Sequence, residues 1–132
     1  MEHQKQNPTI LVVDDSETVA NTLAMVLRHS GYTVVVAYNS KQALEVASTG
    51  IVDLAAIDVN LPGMDGVQTA VEVCKRLPGC KILLISGATT TAEILERAKA
   101  DGIEFPILPK PIPPAVLLST IRDLLTGKED RT

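Results

Sequence analysis

Two adjacent carboxylates, Asp14 and Asp15, close an apolar run in the stretch "ILVVDDSET". Buried charge is costly unless it is paired or bound to a metal, so a strand that ends this way needs a reason. The pair can serve the positive N-terminal end of the next helix, or it can belong to a cation site. Further along, "LAAID" ends at Asp58, "KILLIS" at Ser86 and "ILPK" at Lys110. Three carboxylates crowded together repel, and Mg2+ is their natural neutraliser, a hard cation that takes oxygen ligands and retains water. A lysine ammonium is a point charge suited to a phosphoryl group. A serine hydroxyl can hold another phosphoryl oxygen. A carboxylate can itself be the nucleophile, giving an aspartyl phosphate. Acids, cation, hydroxyl and ammonium together describe phosphoryl-transfer machinery. Taken singly they are weak: Lys110 alone reads as a surface lysine, and "LPGMDG" reads as turn chemistry plus a helix cap.

The chemistry therefore depends on elements that bring these residues together. Short apolar runs at 9–13, 33–37, 53–57, 81–85 and 103–108 read as strands. Between them lie segments of helical period. Residues 16–29 carry Val19, Leu23, Val26 and Leu27 on one face, followed by Gly31 as a stop. Asn39 or Ser40 can cap a second helix that Gly50 ends. Asp65 can cap a third, with Gln68 at capping-box spacing, and Gly63 and Gly66 are expected to permit unusual backbone angles there. A fourth helix is expected over about 91–99. Pro113 and Pro114 open a fifth, with Leu117, Ile121, Leu124 and Leu125 as its apolar face.

Five strand–helix pairs with continuous apolar strands predict an α/β fold, a parallel sheet covered on both faces. Pro106 lacks a ladder N–H and belongs on an edge strand. The last strand is an edge in the flavodoxin-like, doubly wound order 2-1-3-4-5 with its five helices. Ligands in such sheets sit outside the carboxyl ends of the strands, near strands 1 and 3. That is where Asp14, Asp15, Asp58, Ser86 and Lys110 all fall.

Composition narrows the classes. The chain has 132 residues, about one domain, expected over 9–127 with polar tails at 1–8 and 128–132. A net charge of -4 without a basic run argues against a nucleic-acid surface. No apolar stretch reaches membrane length, and the polar start "MEHQKQNPT" shows no signal peptide. Cys74 and Cys80 fit neither a disulfide framework nor a metal knuckle and read as reduced thiols of a cytoplasmic protein. His3 and His29 receive no role.

The fragments "VVDDS", "AIDVNLPGMDG", "LLISGA" and "LPKPI", in this order and each at a strand end, resemble the receiver domain of two-component response regulators. The likeness runs from about residue 10 to about residue 125. It implies that Asp58 accepts a phosphoryl group from a histidine kinase or a histidine phosphotransfer protein. It implies that Asp15 ligates Mg2+ directly, that Asp14 helps through water, and that the backbone carbonyl of Asn60 completes the set with Asp58. Ser86 and Lys110 would hold phosphoryl oxygens, the Lys110–Pro111 bond would be cis, and Asn60 and Ala88 would tune water access. Such a protein is not a conventional enzyme, although it catalyses its own phosphorylation and dephosphorylation. One departure stands out: Ile107 occupies the position three before the lysine where the family usually has Tyr or Phe, with Phe105 two residues earlier on the same strand face. The expected function is a phosphoacceptor without an output domain in this chain, altering its docking to a downstream partner. The alternatives are a receiver excised from a hybrid kinase or longer regulator, or an aspartyl-phosphate phosphatase. The last needs a second acid two residues after the nucleophile, where Asp58 is followed by Val59 and Asn60.

Overall fold

The structure, a computed structural model, describes residues 7–87, 96, 99, 100, 102 and 105–127. Five strands, β1 (Thr9–Val13), β2 (Thr33–Ala37), β3 (Leu54–Asp58), β4 (Lys81–Ser86) and β5 (Ile107–Pro109), form one sheet in the order β2-β1-β3-β4-β5. Every pairing is parallel. Side chains alternate across the pleat, so each strand feeds two cores. Leu11, Val13, Ala55, Ile57 and Leu84 pack on one face. Ile10, Val12, Leu54, Ala56, Leu83 and Ile85 pack on the other. That two-sided burial is why the strands read as continuous apolar runs rather than alternating ones.

Four complete helices are described: α1 (Glu17–His29), α2 (Ser40–Ala47), α3 (Gly66–Arg76) and α4 (Pro114–Thr126). The helix expected over 91–99 lies mostly outside the described residues; Glu96, Lys99 and Ala100 are helical. Ser16, Asn39 and Asp65 cap α1, α2 and α3 by accepting from Val19, Gln42 and Gln68 N–H groups. Past the Ser30 cap, Gly31 with φ 99° and Tyr32 close α1 by bonding back to Arg28 and Leu27 carbonyls, the glycine-ended helix stop. Leu117, Ile121 and Leu124 bury the inner face of α4. None of the described helices is long and apolar enough to cross a membrane.

β5 is shorter than expected. Phe105 and Pro106 precede it without strand geometry, and residues 103 and 104 lie outside the described ones. Pro106 still contributes its carbonyl, which accepts the Leu84 N–H at 2.9 Å. Pro109 completes the strand opposite Ser86. Both prolines are tolerated because β5 has a neighbour on one side only.

Candidate functional site

Val13 pairs with Ile57 across β1 and β3, so Asp14 and Asp58 leave neighbouring strands side by side. Both are buried, at 1% and 4% exposure. The Lys110 ammonium lies between them, donating to Asp14 Oδ2 at 2.9 Å and to Asp58 Oδ2 at 3.2 Å. The remaining carboxylate oxygens are held by the chain itself. Asp14 Oδ1 accepts the Ser16 N–H at 2.9 Å, and Asp58 Oδ1 accepts the Asn60 N–H at 3.0 Å. Asp15 is exposed, yet one oxygen from each of Asp14, Asp15 and Asp58 lies within 4.8 Å of the others. Three oxygen donors so close, at an edge open to water through Asp15, can hold a hard divalent cation.

Ser86 ends β4, half-buried, and its carbonyl accepts the Lys110 N–H at 2.7 Å. The residue that would carry a hydroxyl to a ligand is thereby tied to the residue carrying the ammonium. Gly87 follows. A methyl there would sit 3.0 Å from Lys110 Cδ, so the bare glycine leaves room for the lysine stem to cross toward the acids. The Lys110–Pro111 peptide is cis.

The electrostatics are unequal. Burial pushes the Asp58 carboxyl above its ordinary value; the Asn60 N–H pulls it back, Asp14 pushes it further up, and Lys110 opposes that. Burial disfavours the Lys110 charge, but the hydrogen bonds and charges of Asp14 and Asp58 together exceed it and hold the ammonium above its ordinary value. Asp58 is thus a poorly hydrated carboxylate beside a firmly protonated lysine.

The structure brings Asp14, Asp15, Asp58, Ser86 and Lys110 to one edge of the sheet. Ala88 lies outside the described residues. Ile107 and Phe105 pack, half-buried, against the same core cluster. Cys74 and Cys80 are free thiols, and burial, then the Cys74 and Asp53 charges, push Cys80 up to about 12.

Gly66 departs from its expected role. Gly63 has φ 79°, but Gly66 has no left-handed backbone. It is required for space: a Cβ there would overlap the Asp58 carbonyl oxygen and lie 2.6 Å from Val59 Cα. Its N–H donates to the Val59 carbonyl at 2.8 Å, so α3 begins against the backbone of the phosphoacceptor candidate itself.

Two hydroxyls escaped the sequence reading as site-linked groups. Ser40 Oγ lies 3.0 Å from the Met64 carbonyl and 2.8 Å from Thr69 Oγ1, and Thr69 Oγ1 lies 2.8 Å from the Asp65 carbonyl. The available signal was Thr69, a polar residue between Gly66 and Val73 on the buried stripe of α3.

The response regulator receiver domain model matches residues 10–122. The alkaline phosphatase synthesis transcriptional regulatory protein PhoP of Bacillus subtilis (strain 168) is 36% identical over 126 residues, covering 93% of this chain and 50% of that protein. The chain spans about half, or less, of the length of the curated relatives it matches. A receiver domain protein (CheY-like) from Methanospirillum hungatei JF-1 superposes with a TM-score of 0.82 at 25% identity, covering 96% of this chain and 99% of that one. A response regulator from Burkholderia pseudomallei, solved with a phosphorylated aspartic acid, a calcium ion and citrate, superposes with a TM-score of 0.74 at 28% identity, covering 92% of this chain and 68% of that one. With the sheet order, the strand-end residues and these likenesses in agreement, the chain belongs to the response regulator receiver domain family.

Proposed function

We propose that this receiver accepts a phosphoryl group on Asp58 from the phosphohistidine of a histidine kinase or a histidine phosphotransfer protein. The observation that carries the reading is the Lys110 ammonium held between two buried carboxylates while a third lies within 4.8 Å. A structural ion pair needs one acid per cation. Here the excess negative charge suits a second cation, and all the donors are oxygens. Asp14, Asp15, Asp58 and the Asn60 carbonyl would hold Mg2+, which when bound neutralises charge on the phosphoryl oxygens.

The protein's own groups supply the rest. An Asp58 oxygen attacks phosphorus, and the P–N bond breaks with its electron pair leaving on the imidazole, which takes a proton from water. Burial has already stripped water from the nucleophile. Lys110 turns its charge from the carboxylates to the new phosphoryl oxygens, and the Ser86 hydroxyl donates to another. Hydrolysis of the acyl phosphate returns Asp58. A phosphorylated aspartate together with a divalent ion in the Burkholderia pseudomallei protein supports this reading. The receiver then extends over 9–127, acts in the cytoplasm where its two thiols stay reduced, and signals through changed docking to a partner.

Incubation with Mg2+ and radiolabelled acetyl phosphate tests the assignment. The wild type should take up base-labile label, and Asp58→Asn should fall to background. Wild-type label persisting in Asp58→Asn refutes the phosphoacceptor. Phosphate release without any label would instead support a hydrolytic enzyme.

A further inference from the structure

The loop from Val59 to Asp65 carries the Asn60 carbonyl and is closed at its base by the Gly66 N–H on the Val59 carbonyl, 2.8 Å away. Val59 and Leu61 anchor its near side in the core. Its far side is held from another helix, by Ser40, the first residue of α2. Ser40 and Thr69 are 8% and 0% exposed, so these hydroxyls have to satisfy one another or the backbone.

Two hydroxyls share two protons across three close contacts: Ser40 donates to the Met64 carbonyl at 3.0 Å, Thr69 donates to the Asp65 carbonyl at 2.8 Å, and either can supply the 2.8 Å contact between them. Thr69 thus bonds to the cap residue of its own helix, whereas Ser40 reaches the loop at Met64 from α2. Without the Thr69 hydroxyl, Ser40 still has the Met64 carbonyl as its acceptor.

We propose that Ser40 is a positioning residue for the Asp58 site: its hydroxyl, supported by Thr69, fixes the Met64 carbonyl and through it the loop that presents the Asn60 carbonyl to the cation. The proposal rests on the phosphoacceptor reading above. It makes the two hydroxyls unequal despite their shared burial. Ser40→Ala removes the tether and leaves Thr69 its own bond to the Asp65 carbonyl. Thr69→Val keeps the Ser40–Met64 bond and fills the same volume.

Titrating Mg2+ alone, followed by amide NMR, reads the effect without phosphorylation. Ser40→Ala should weaken Mg2+ binding about three- to tenfold, the size of one lost hydrogen bond, and speed amide exchange in 59–66. Ser40→Thr, which keeps the hydroxyl, should restore both. Thr69→Val should stay within about twofold of wild type, well short of the loss of a bond. Should the alanine variant not fold, Ser40→Cys, a weak donor of similar size, takes its place with the same expectation. Unchanged Mg2+ affinity and loop exchange in Ser40→Ala overturns the positioning role, and a Thr69→Val loss as large as that of Ser40→Ala overturns the assignment of the tether to Ser40 rather than to the hydroxyl pair. Failure of the wild type to bind Mg2+ or take label would instead strike the underlying reading.

Discussion

Strand β3 is bracketed by two aspartates put to opposite uses. At its amino end, Asp53 works as a splint. Its carboxylate accepts the Thr9 N–H at 2.7 Å, its N–H donates to the Thr9 carbonyl at 2.8 Å, and its carbonyl accepts the Lys81 N–H at 3.0 Å. One residue thus stitches β1, β3 and β4 where they begin. At the carboxyl end, Asp58 faces a second buried acid and one shared ammonium, and burial raises its proton affinity. Stability is gathered at one end of the strand and spent at the other. Residue type does not separate the two aspartates; the direction in which the strands run does, because helices begin at the carboxyl ends and leave a crevice there.

The contrast can be broken most forcibly with two glycines. Gly66→Ala would drive a methyl into the Asp58 carbonyl, whereas a methyl on Gly79, in the turn before β4, meets nothing within 4 Å. Overpacking of this kind costs about 1–3 kcal/mol or more, which should lower Tm by several degrees and slow acetyl-phosphate labelling. Gly79→Ala should leave both unchanged. Equal melting of the two variants would mean that the carboxyl end yields as readily as the other.

A smaller effect is expected from the lysines. Lys110→Ala leaves Asp14 and Asp58 facing each other without their ammonium. With its side chain 27% exposed, the pair falls between a buried and a surface ion pair, so the loss should be about 1–2 kcal/mol. Saturating Mg2+ should recover most of it by supplying the missing positive charge. The exposed Lys81 offers the control, since Lys81→Ala should change neither stability nor its response to Mg2+. Thermal melts with and without Mg2+ decide, and a Lys110→Ala deficit indifferent to Mg2+ would show that the ion and the ammonium do not share the same acids.

The finest test is pH. The native state holds the Asp58 proton more tightly than the unfolded chain, because its value is raised above 3.8. That contribution is complete below the unfolded value and is lost as pH rises through the raised native one. Asp58→Asn has no such contribution to lose. In Mg2+-free buffer its Tm should therefore gain on wild type as pH climbs from the acid side toward neutrality. Lys110 acts at the far end: its contribution stands below 10.5 and is lost as pH rises beyond its raised native value. Parallel Tm curves for Asp58→Asn and wild type across the acid range would place Asp58 in water like any surface acid.

Much of this was legible in the sequence. Fully buried parallel strands announce themselves as apolar runs, and a chemical residue at the end of each run locates the carboxyl edge. Ser16, Asn39 and Asp65 stand at helix starts because their side chains satisfy the first N–H groups there. What stayed hidden depends on distances between segments. Gly66 looked like a turn glycine because close approach to Asp58, a neighbour in space eight residues back, has no local signature. The Ser40–Thr69 pair spans 29 residues and joins two helices whose packing no periodicity describes. The late start of β5 reflects pairing with β4 alone, where two prolines limit how much ladder can form.

One of those prolines, Pro109, has a consequence outside signalling. On β5, the Lys110 N–H and the Pro106 carbonyl point toward β4, so by alternation Ile107 and Pro109 turn their backbone outward. Of these only Ile107 carries an N–H. An incoming strand would find one donor where a ladder needs a row of them, and an unguarded edge of this kind is where chains join into fibrils. The β5 edge is thereby a poor template for strand addition, whereas β2, the opposite edge of the sheet, carries no proline, so backbone recruitment of a second copy has only that side open to it.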